Sequence, residues 1–252
     1  MELGFQSVAL SGEGFQLSPP TGIQQVVRAG ASLGLPGTPA STTMPVEVSW
    51  LASKDAGVTY ELQESVNGGA FTTIQTGTGQ SITRDLQVKS LASPGKYQYR
   101  VRALKDNLTS AWNTGGLFTF APYDDKDTAN LKFGGTWSTE NNTANYGGSV
   151  KFSTAKGSNA GSPRIQFTTS GTFAVLGDVG PSQGQIEVKI DGKSAGIVDE
   201  YAPAAQAKRG VVVYANNGLA VGQHDVSINV PGTKNNLSTG FRVDLDGFVA
   251  LK

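Results

Sequence analysis

Apolar and polar residues alternate in many short segments along the chain. Residues 185–190, QIEVKI, carry an apolar side chain at every second position, and a period of two predicts a β-strand with one buried face. The next two residues, Asp191 and Gly192, suit a type I′ turn, because glycine adopts a positive φ without steric cost and aspartate tolerates it. We therefore predict a β-hairpin within residues 180–201 and interpret Asp191 and Asp199 as a turn residue and a strand-end residue.

The first half of the chain repeats this pattern from residue 45 onward. Val46, Val48 and Trp50 share one face of PVEVSWLA, and VTYELQESVNGGAFTTI contains two strands joined by an Asn-Gly-Gly turn. The segment LASPGKYQYRVRAL alternates in the same way, and GLFTFAP completes the unit. Short strands at this spacing, separated by turn residues, predict a β-sandwich.

Residues 128–252 form a second block, whose predicted strands are KFGGTWS, GGSVKFS, RIQFTTSGTFAVLG, QIEVKI, SAGIVDEY, RGVVVYA, HDVSINV and FRVDLDGFVAL. Many strands with glycine-rich turns favour a jelly roll, in which two sheets wrap around one core and protect their edges. The polar segment YDDKDTAN separates the two blocks. We expect an all-β protein of two tandem β-sandwiches, divided into an extension at 1–21, a first sandwich at 22–122, a linker at 123–130 and a jelly roll at 131–252.

The first block resembles a fibronectin type III domain. The resemblance rests on VSW, on YELQESVNGGAFTTI, and on Leu91 followed by Pro-Gly-Lys-Tyr and QYRVRA, which are similar to the B, C–C′ and F strands of that family. It implies a sandwich in which Trp50 is the core tryptophan and Tyr97 is the tyrosine-corner residue, both with structural roles.

The second block resembles a galactose-binding-like jelly roll of the kind found in carbohydrate-binding modules. The resemblance rests on the ordered series GTWSTENNTANYGGSVKFSTAKGS, FAVLGDVGPSQGQIEVKIDGKSAGIVDEY, GLAVGQHDVSINVPGTKN and RVDLDGFVAL. Such modules follow fibronectin type III domains in bacterial secreted hydrolases and in phage tail proteins. The resemblance implies the fold more strongly than the ligand, because members bind sugars or other proteins.

The charge balance argues against a polyanionic partner. Lys and Arg together number 20, as do Asp and Glu, so no global field attracts nucleic acid or an anionic membrane, and we expect neither as a partner.

No apolar run reaches the roughly 18 residues of a membrane span. The N-terminal residues MELGFQSVALSGEGFQ lack the basic region and long apolar core of a secretory signal. We expect either that a signal was removed or that the protein is released without one.

Catalytic motifs are sparse. The chain has no cysteine and one histidine, which excludes disulfides and thiolate metal sites and leaves His224 as the single histidine candidate for catalysis. The glycine-rich GDVGPSQG leads into a predicted strand and lacks the helix N-terminus that complements a phosphate. A glycosidase needs two carboxyls at a fixed separation, and nothing singles out a pair among Asp178, Asp199, Asp244 and Asp246. We therefore expect that the protein is not an enzyme.

Asp124, Asp125 and Asp127, in YDDKDTAN, are candidate calcium ligands. Calcium favours several closely spaced carboxylate oxygens, but it takes about six or more ligands. Because the run supplies only three side chains, a solvated linker or turn is favoured. No cofactor is expected beyond this candidate calcium site.

Sugar recognition needs flat apolar faces for stacking, and amide, carboxylate or guanidinium groups that match hydroxyls. Loops on a rigid sandwich present such groups without burying them. We expect the ligand contacts to come from Trp137, Asn142, Tyr146, Asp178, Tyr201, Arg209 and Asn235. Further loop candidates are Asn141, Gln183, Lys208 and Asn236. Trp137 also fits an inward-facing strand position, whereas Tyr146 and Tyr201 have loop-like neighbours.

These features predict a non-catalytic structural or adhesion protein, a tail or decoration component of a phage virion. Its expected partners are a cell-surface glycan, bound through the jelly roll, and other subunits of a virion or extracellular assembly. One alternative is the carbohydrate-binding accessory region of a secreted bacterial hydrolase, and another is a purely architectural subunit that binds only protein neighbours. The expected location is the virion or the extracellular space.

Overall fold

The computed structural model describes residues 16–34, 41–168 and 171–252. The described residues form an all-β protein of two tandem β-sandwiches, with short 3-10 turns and no α-helix among them. No helix within these ranges is long and apolar enough to cross a membrane. Most of the predicted N-terminal extension, residues 1–15, lies outside the described residues.

The first sandwich packs a three-stranded sheet, in the order β1-β2-β5, on the strands β4-β3-β6-β9. As predicted, Val46, Val48 and Trp50 point into the core, where each is at most 4% exposed. Tyr97 is buried in the same core. The strands are β1 (Thr21–Val26), β2 (Thr43–Leu51), β3 (Thr59–Val66), β4 (Thr72–Gly77), β5 (Ser81–Gln87), β6 (Gly95–Lys105), β7 (Leu108–Thr109), β8 (Asn113–Thr114) and β9 (Phe118–Asp124).

The second sandwich places a five-stranded sheet, in the order β10-β13-β18-β15-β16, opposite β17-β14-β20 and the small sheet β11-β12-β19. Side chains such as Phe173, Ile186 and Phe248 fill the space between them. The strands are β10 (Lys132–Gly134), β11 (Ser138–Asn141), β12 (Ser149–Ser153), β13 (Asn159–Phe167), β14 (Gly171–Val179), β15 (Gln185–Ile190), β16 (Lys193–Asp199), β17 (Lys208–Leu219), β18 (Gly222–Asn229), β19 (Val243–Leu245) and β20 (Gly247–Leu251).

The hairpin predicted within residues 180–201 is present as β15 and β16. Asp191 and Gly192 join the two strands with φ values of 53° and 74°, the pair of positive values that a type I′ turn requires. This turn matches the right-handed twist of the flanking strands. The hairpin prediction is therefore confirmed.

Strand β9 connects the two sandwiches directly. Its first residues pair with β6, and residues from Phe120 to Asp124 pair with β20, so one nine-stranded sheet runs through both sandwiches. We expected a linker at residues 123–130. Its first two residues, Tyr123 and Asp124, are strand residues instead, because they pair with Phe248 and Gly247.

Strands β14 and β20 bury side chains on both faces of the shared sheet. Ala174 and Leu176 belong to the core of the first sandwich, whereas Phe173 and Val175, which alternate with them along β14, belong to the core of the second. A strand buried on both faces needs no polar side. The unbroken apolar run in FAVLG follows from this position between two cores.

Because the two cores share these strands, we expect both sandwiches to unfold in a single transition. Leu176→Ala, at a fully buried position of the first core, is expected to lower the free energy of unfolding by about 2–5 kcal/mol. Urea denaturation followed by circular dichroism and by tryptophan fluorescence measures both the number of transitions and the free energy of unfolding. Fluorescence reports on both sandwiches, since Trp50 and Trp137 lie in different ones. Val221→Ala, at an exposed position, is the control. Two separate transitions would contradict the shared-core interpretation.

Candidate functional site

A cleft of about 300 Å³ opens at the end of β14, beside the start of β17. Its walls come from the loop at 180–183, from residues 207–209 and from the residue that precedes β19. The polar side chains that line it are Asp178, Ser182, Gln183, Lys208, Arg209 and Arg242. Acidic, basic and amide groups therefore meet within one concave surface.

Asp178 is the buried carboxylate of the cleft, with only 3% of its surface exposed. Its Oδ1 accepts hydrogen bonds from Asn145 Nδ2 at 2.6 Å and from the Gly210 backbone N–H at 3.0 Å. Its Oδ2 accepts one from Arg209 at 3.1 Å. Burial, together with the nearby charge of Asp244, raises the pKa of Asp178 to about 6. The carboxylate is thus held in one orientation at the base of the cleft.

Two guanidinium groups at the rim are linked by one carboxylate. Glu140 accepts from Arg209 at 2.8 Å through one oxygen and from Arg242 at 2.7 Å through the other. Arg242 also donates to Asp244 at 2.6 Å and lies 4.1 Å from the ring centroid of Phe152. The hydrogen bond from Arg242 lowers the pKa of Glu140. These contacts fix the directions of the remaining guanidinium N–H groups.

Further carboxyls lie beneath the rim. Gln183 donates to Asp244 Oδ2 at 2.6 Å, and the Asp244 backbone N–H donates to Glu200 at 3.1 Å. Glu200 is fully buried, and its Oε1 has no hydrogen-bond partner. Burial raises the pKa of Glu200 well above its ordinary value.

A second concave surface of about 440 Å³ adjoins the cleft and includes Tyr201. Val179 and Lys208 line both concavities. Asp199 orients this region, because it accepts from the Tyr201 backbone N–H at 3.1 Å and from Asn235 Nδ2 at 2.7 Å. Tyr201 itself is half-buried.

The sequence-based candidates therefore separate into two groups. Asp178, Gln183, Lys208 and Arg209 line the cleft, and Tyr201 lies in the adjoining concavity. The candidates outside both concavities are Trp137, Asn141, Asn142, Tyr146, Asn235 and Asn236.

Tyr146 is a core residue and was wrongly expected to be a ligand contact. It is 3% exposed, packs within the core of the first sandwich, and donates its hydroxyl to the Lys89 carbonyl at 3.0 Å. Its backbone N–H donates to Asp246 at 2.9 Å. The Gly and Asn neighbours that made its segment look loop-like form a short 3-10 turn that inserts the ring between the sandwiches.

Trp137 and Asn142 use their polar groups within the protein. The Trp137 indole N–H donates to the carbonyls of Gly134 and Asn159, both at 3.1 Å, and its ring is half-buried against the second core. Asn142 Oδ1 accepts from the Ala144 backbone N–H at 2.9 Å, which closes an Asx turn.

The three calcium candidates point to different partners. Asp124 accepts from the Lys126 backbone N–H, Asp127 accepts from Asn130, and Asp125 is buried against the hydroxyl of Ser149. Among the described residues, no three acidic or histidine side chains gather in a way that would hold a metal ion.

Sequence reasoning missed Glu140, Asn145 and Arg242 as site residues. A signal was present in RVDLD, where Val243 and Leu245 face the second core. Period-two alternation then places Arg242, Asp244 and Asp246 together on the opposite face. When one face of a strand is buried in a core and the other face carries several charged residues, those residues are expected to contact further polar groups. No comparable pattern marks Glu140 or Asn145.

Comparisons with known proteins find similarity to part of a carbohydrate-active enzyme. No protein-family model matches the chain. It is 33% identical over 110 residues to the A type blood N-acetyl-alpha-D-galactosamine deacetylase of Flavonifractor plautii. The match covers 43% of this chain and 13% of that enzyme, so the chain spans a small part of its relative's length.

Two solved structures show distant likenesses. The exo-beta-1,3-galactanase of Phanerochaete chrysosporium, solved with galactose, has a TM-score of 0.37 and 11% identity over 88% of this chain and 56% of that one. A Paenibacillus xanthan lyase has a TM-score of 0.39 and 12% identity over 87% and 25%. At these values neither structure indicates an activity for this chain.

The deacetylase relative contradicts the expectation that the protein is not an enzyme. That expectation rested on missing catalytic motifs within these 252 residues, whereas the matched relative is an enzyme of which the chain covers only 13%. Most of that enzyme, including any catalytic motif in it, therefore lies outside the matched segment. The comparisons offer no support for a virion component.

His224 has a structural role at the β15–β16 turn. Its Nδ1 lies 2.8 Å from Asp191 Oδ2, and its Nε2 lies 3.1 Å from the Ala220 carbonyl oxygen. Only the imidazolium form donates to both acceptors. The hydrogen bond to Asp191 accordingly raises the pKa of His224. This interaction stabilises the fold below pH 6.5 or so, and the contribution is lost as pH rises through the folded-state pKa.

We expect Asp191→Asn to lower the pKa of His224 toward the ordinary value of about 6.5, because the amide removes the negative charge while asparagine still tolerates the positive φ. NMR titration of the imidazole measures this without ambiguity, since the chain has one histidine. Asp85→Asn, at an exposed position outside this hairpin, is the control. An unchanged titration in Asp191→Asn would show that the contact does not hold in solution.

A second prediction concerns Asp125, whose pKa is raised to about 7 by burial and by the adjacent Asp124. Because the folded protein holds this proton more tightly than the unfolded chain does, the free energy of unfolding falls as pH rises from about 4 to about 7. Asp125→Asn is expected to weaken this dependence. Urea denaturation at pH 5 and pH 8 measures it, and an equal loss of stability in wild type and variant would contradict the assignment.

Proposed function

We propose that this chain is the carbohydrate-binding part of a carbohydrate-active enzyme and that its saccharide binds in the cleft beside Asp178. The observation that carries the proposal is the fixed arrangement of hydrogen-bonding groups there. Asp178, Arg209 and Arg242 are oriented by Asn145 and Glu140 before any ligand arrives. Such preorganisation reduces the entropy that binding costs.

The chemistry of the cleft suits sugar hydroxyls. Carboxylate oxygens accept hydrogen bonds from hydroxyls, while guanidinium and amide N–H groups donate to them. Lys208 adds an exposed ammonium that forms no ion pair within the described residues. The half-buried ring of Tyr201, in the adjoining concavity, offers a face on which a second sugar unit stacks.

The enzymatic setting is supported by the relative that is named an A type blood N-acetyl-alpha-D-galactosamine deacetylase. We propose a related setting for this chain, in which a catalytic unit elsewhere in the polypeptide acts on the glycan that the cleft holds. In this proposal the first sandwich is a fibronectin type III-like spacer, the second is a galactose-binding-like module, and the protein works outside the cell.

The test is a calorimetric titration of the protein with N-acetylgalactosamine- and galactose-containing oligosaccharides. Lys208→Met removes an exposed ammonium at the cleft and is expected to weaken binding at least about tenfold, which corresponds to about 1.4 kcal/mol. Lys54→Met makes the same change at an exposed position of the first sandwich and is the matched control. The proposal fails if no oligosaccharide binds saturably, or if Lys208→Met binds as tightly as Lys54→Met.

A further inference from the structure

A separate groove of about 490 Å³ lies where the two sandwiches meet, at the other end of β14. Strand β1 forms one wall, and the start of β14 and residue Asn217 of β17 form the other. Ile23 and Phe118 contribute apolar surface to it. Its volume lies within the range of small-molecule sites, roughly 300–1,000 Å³.

The wall formed by the second sandwich is rigid because Asn217 is fully engaged. Its Oδ1 accepts from the Val27 backbone N–H at 2.8 Å and from the Thr172 hydroxyl at 3.0 Å, and its Nδ2 donates to the Val27 carbonyl at 2.9 Å. These bonds join the chain that follows β1 to β14 and β17. The groove is therefore held open by contacts between the sandwiches.

The wall formed by β1 presents unused hydrogen-bonding groups. Gln24 is exposed and Gln25 is half-buried, and both line the groove. Across the described residues neither side-chain amide has a hydrogen-bond partner within the protein. Neighbouring strand residues project to opposite faces, and Gln25 pairs with the inward-facing Val48, so its amide lies on the same face of β1 as Ile23. That amide offers two donors and one acceptor oxygen to the hydroxyls of a sugar, and Gln24 borders the groove from the outer face of the strand.

None of the described residues that line the groove carries a charged side chain, in contrast to those of the cleft beside Asp178. A cationic or anionic ligand would lose its hydration in the groove without gaining an ion pair, and this desolvation costs free energy. A neutral ligand with hydroxyl groups and C–H faces pairs with the amides and covers Ile23 and Phe118 at no such cost.

We propose that this groove is a second saccharide-binding site and that it takes a neutral oligosaccharide. The site does not depend on the cleft, since Thr172 and Asp178 lie six residues apart on β14, or about 20 Å. A ligand there contacts β1 of the first sandwich and β14 of the second, so binding also stabilises their mutual orientation.

The test is an NMR titration that follows the methyl resonances of Ile23 and Val26, which line the groove. The probes are neutral gluco-, galacto- and xylo-oligosaccharides and, as the charged comparison, an oligogalacturonide. We expect saturable shifts of both methyl groups with a neutral probe and none with the oligogalacturonide. The double variant Gln24→Ala/Gln25→Ala is expected to weaken binding at least tenfold, with its methyl spectrum otherwise intact.

Lys208→Met is the control that separates this site from the cleft, and it is expected to leave the Ile23 and Val26 shifts unchanged. The proposal is overturned if no neutral probe moves these resonances, if the oligogalacturonide binds better than the neutral probes, or if the glutamine variant binds as tightly as wild type. If wild type shows the groove titration but Lys208→Met binds oligosaccharide at the cleft as tightly as wild type does, only the proposed function of the cleft is refuted.

Discussion

The hydrogen-bonded pairing of β9 with both β6 and β20 is the constraint on which the rest of the molecule depends. It makes one continuous sheet out of strands from two sandwiches, and it brings β14 and β20 between two hydrophobic cores. Residues 27–33 add to this contact, since Gly30 and Leu33 donate backbone hydrogen bonds to Val212 and Gly210 of β17. The two sandwiches are thus joined by backbone pairing and by apolar packing.

This junction also explains where the polar clusters lie. Tyr146 enters the first core from the second sandwich, and its backbone N–H holds Asp246. Asn145, the preceding residue, orients Asp178 at the cleft. A chain of direct contacts therefore runs from the seam between the sandwiches to the cleft. Buried carboxylates are costly unless they are paired or protonated. Here Arg209 pairs with Asp178 and Arg242 pairs with Asp244, and burial raises the pKa values of Glu200 and Asp246.

The two proposed saccharide sites lie at opposite ends of β14, and they differ in chemistry because different residues line them. The cleft combines ionised groups that compensate one another, and the groove offers amides and a hydroxyl without charge. Binding surfaces on a rigid sandwich diversify through the residues at its strand ends. Two such sites on one chain would favour a polymeric ligand, since linked contacts raise the effective concentration of the second.

By itself the sequence determined the elements whose signals are local. Period-two alternation located the strands, Asp191-Gly192 located a hairpin turn, and the alternation around Trp50 identified the inward face of β2. Only the tertiary structure decided the burial of Tyr146, the convergence of Asp178 with Glu140 and Arg242, and the continuation of β9 into the second sandwich. The physical reason is separation along the chain: turn chemistry and strand periodicity act between neighbouring residues, whereas burial and ion pairing depend on which distant strands the sheets bring together.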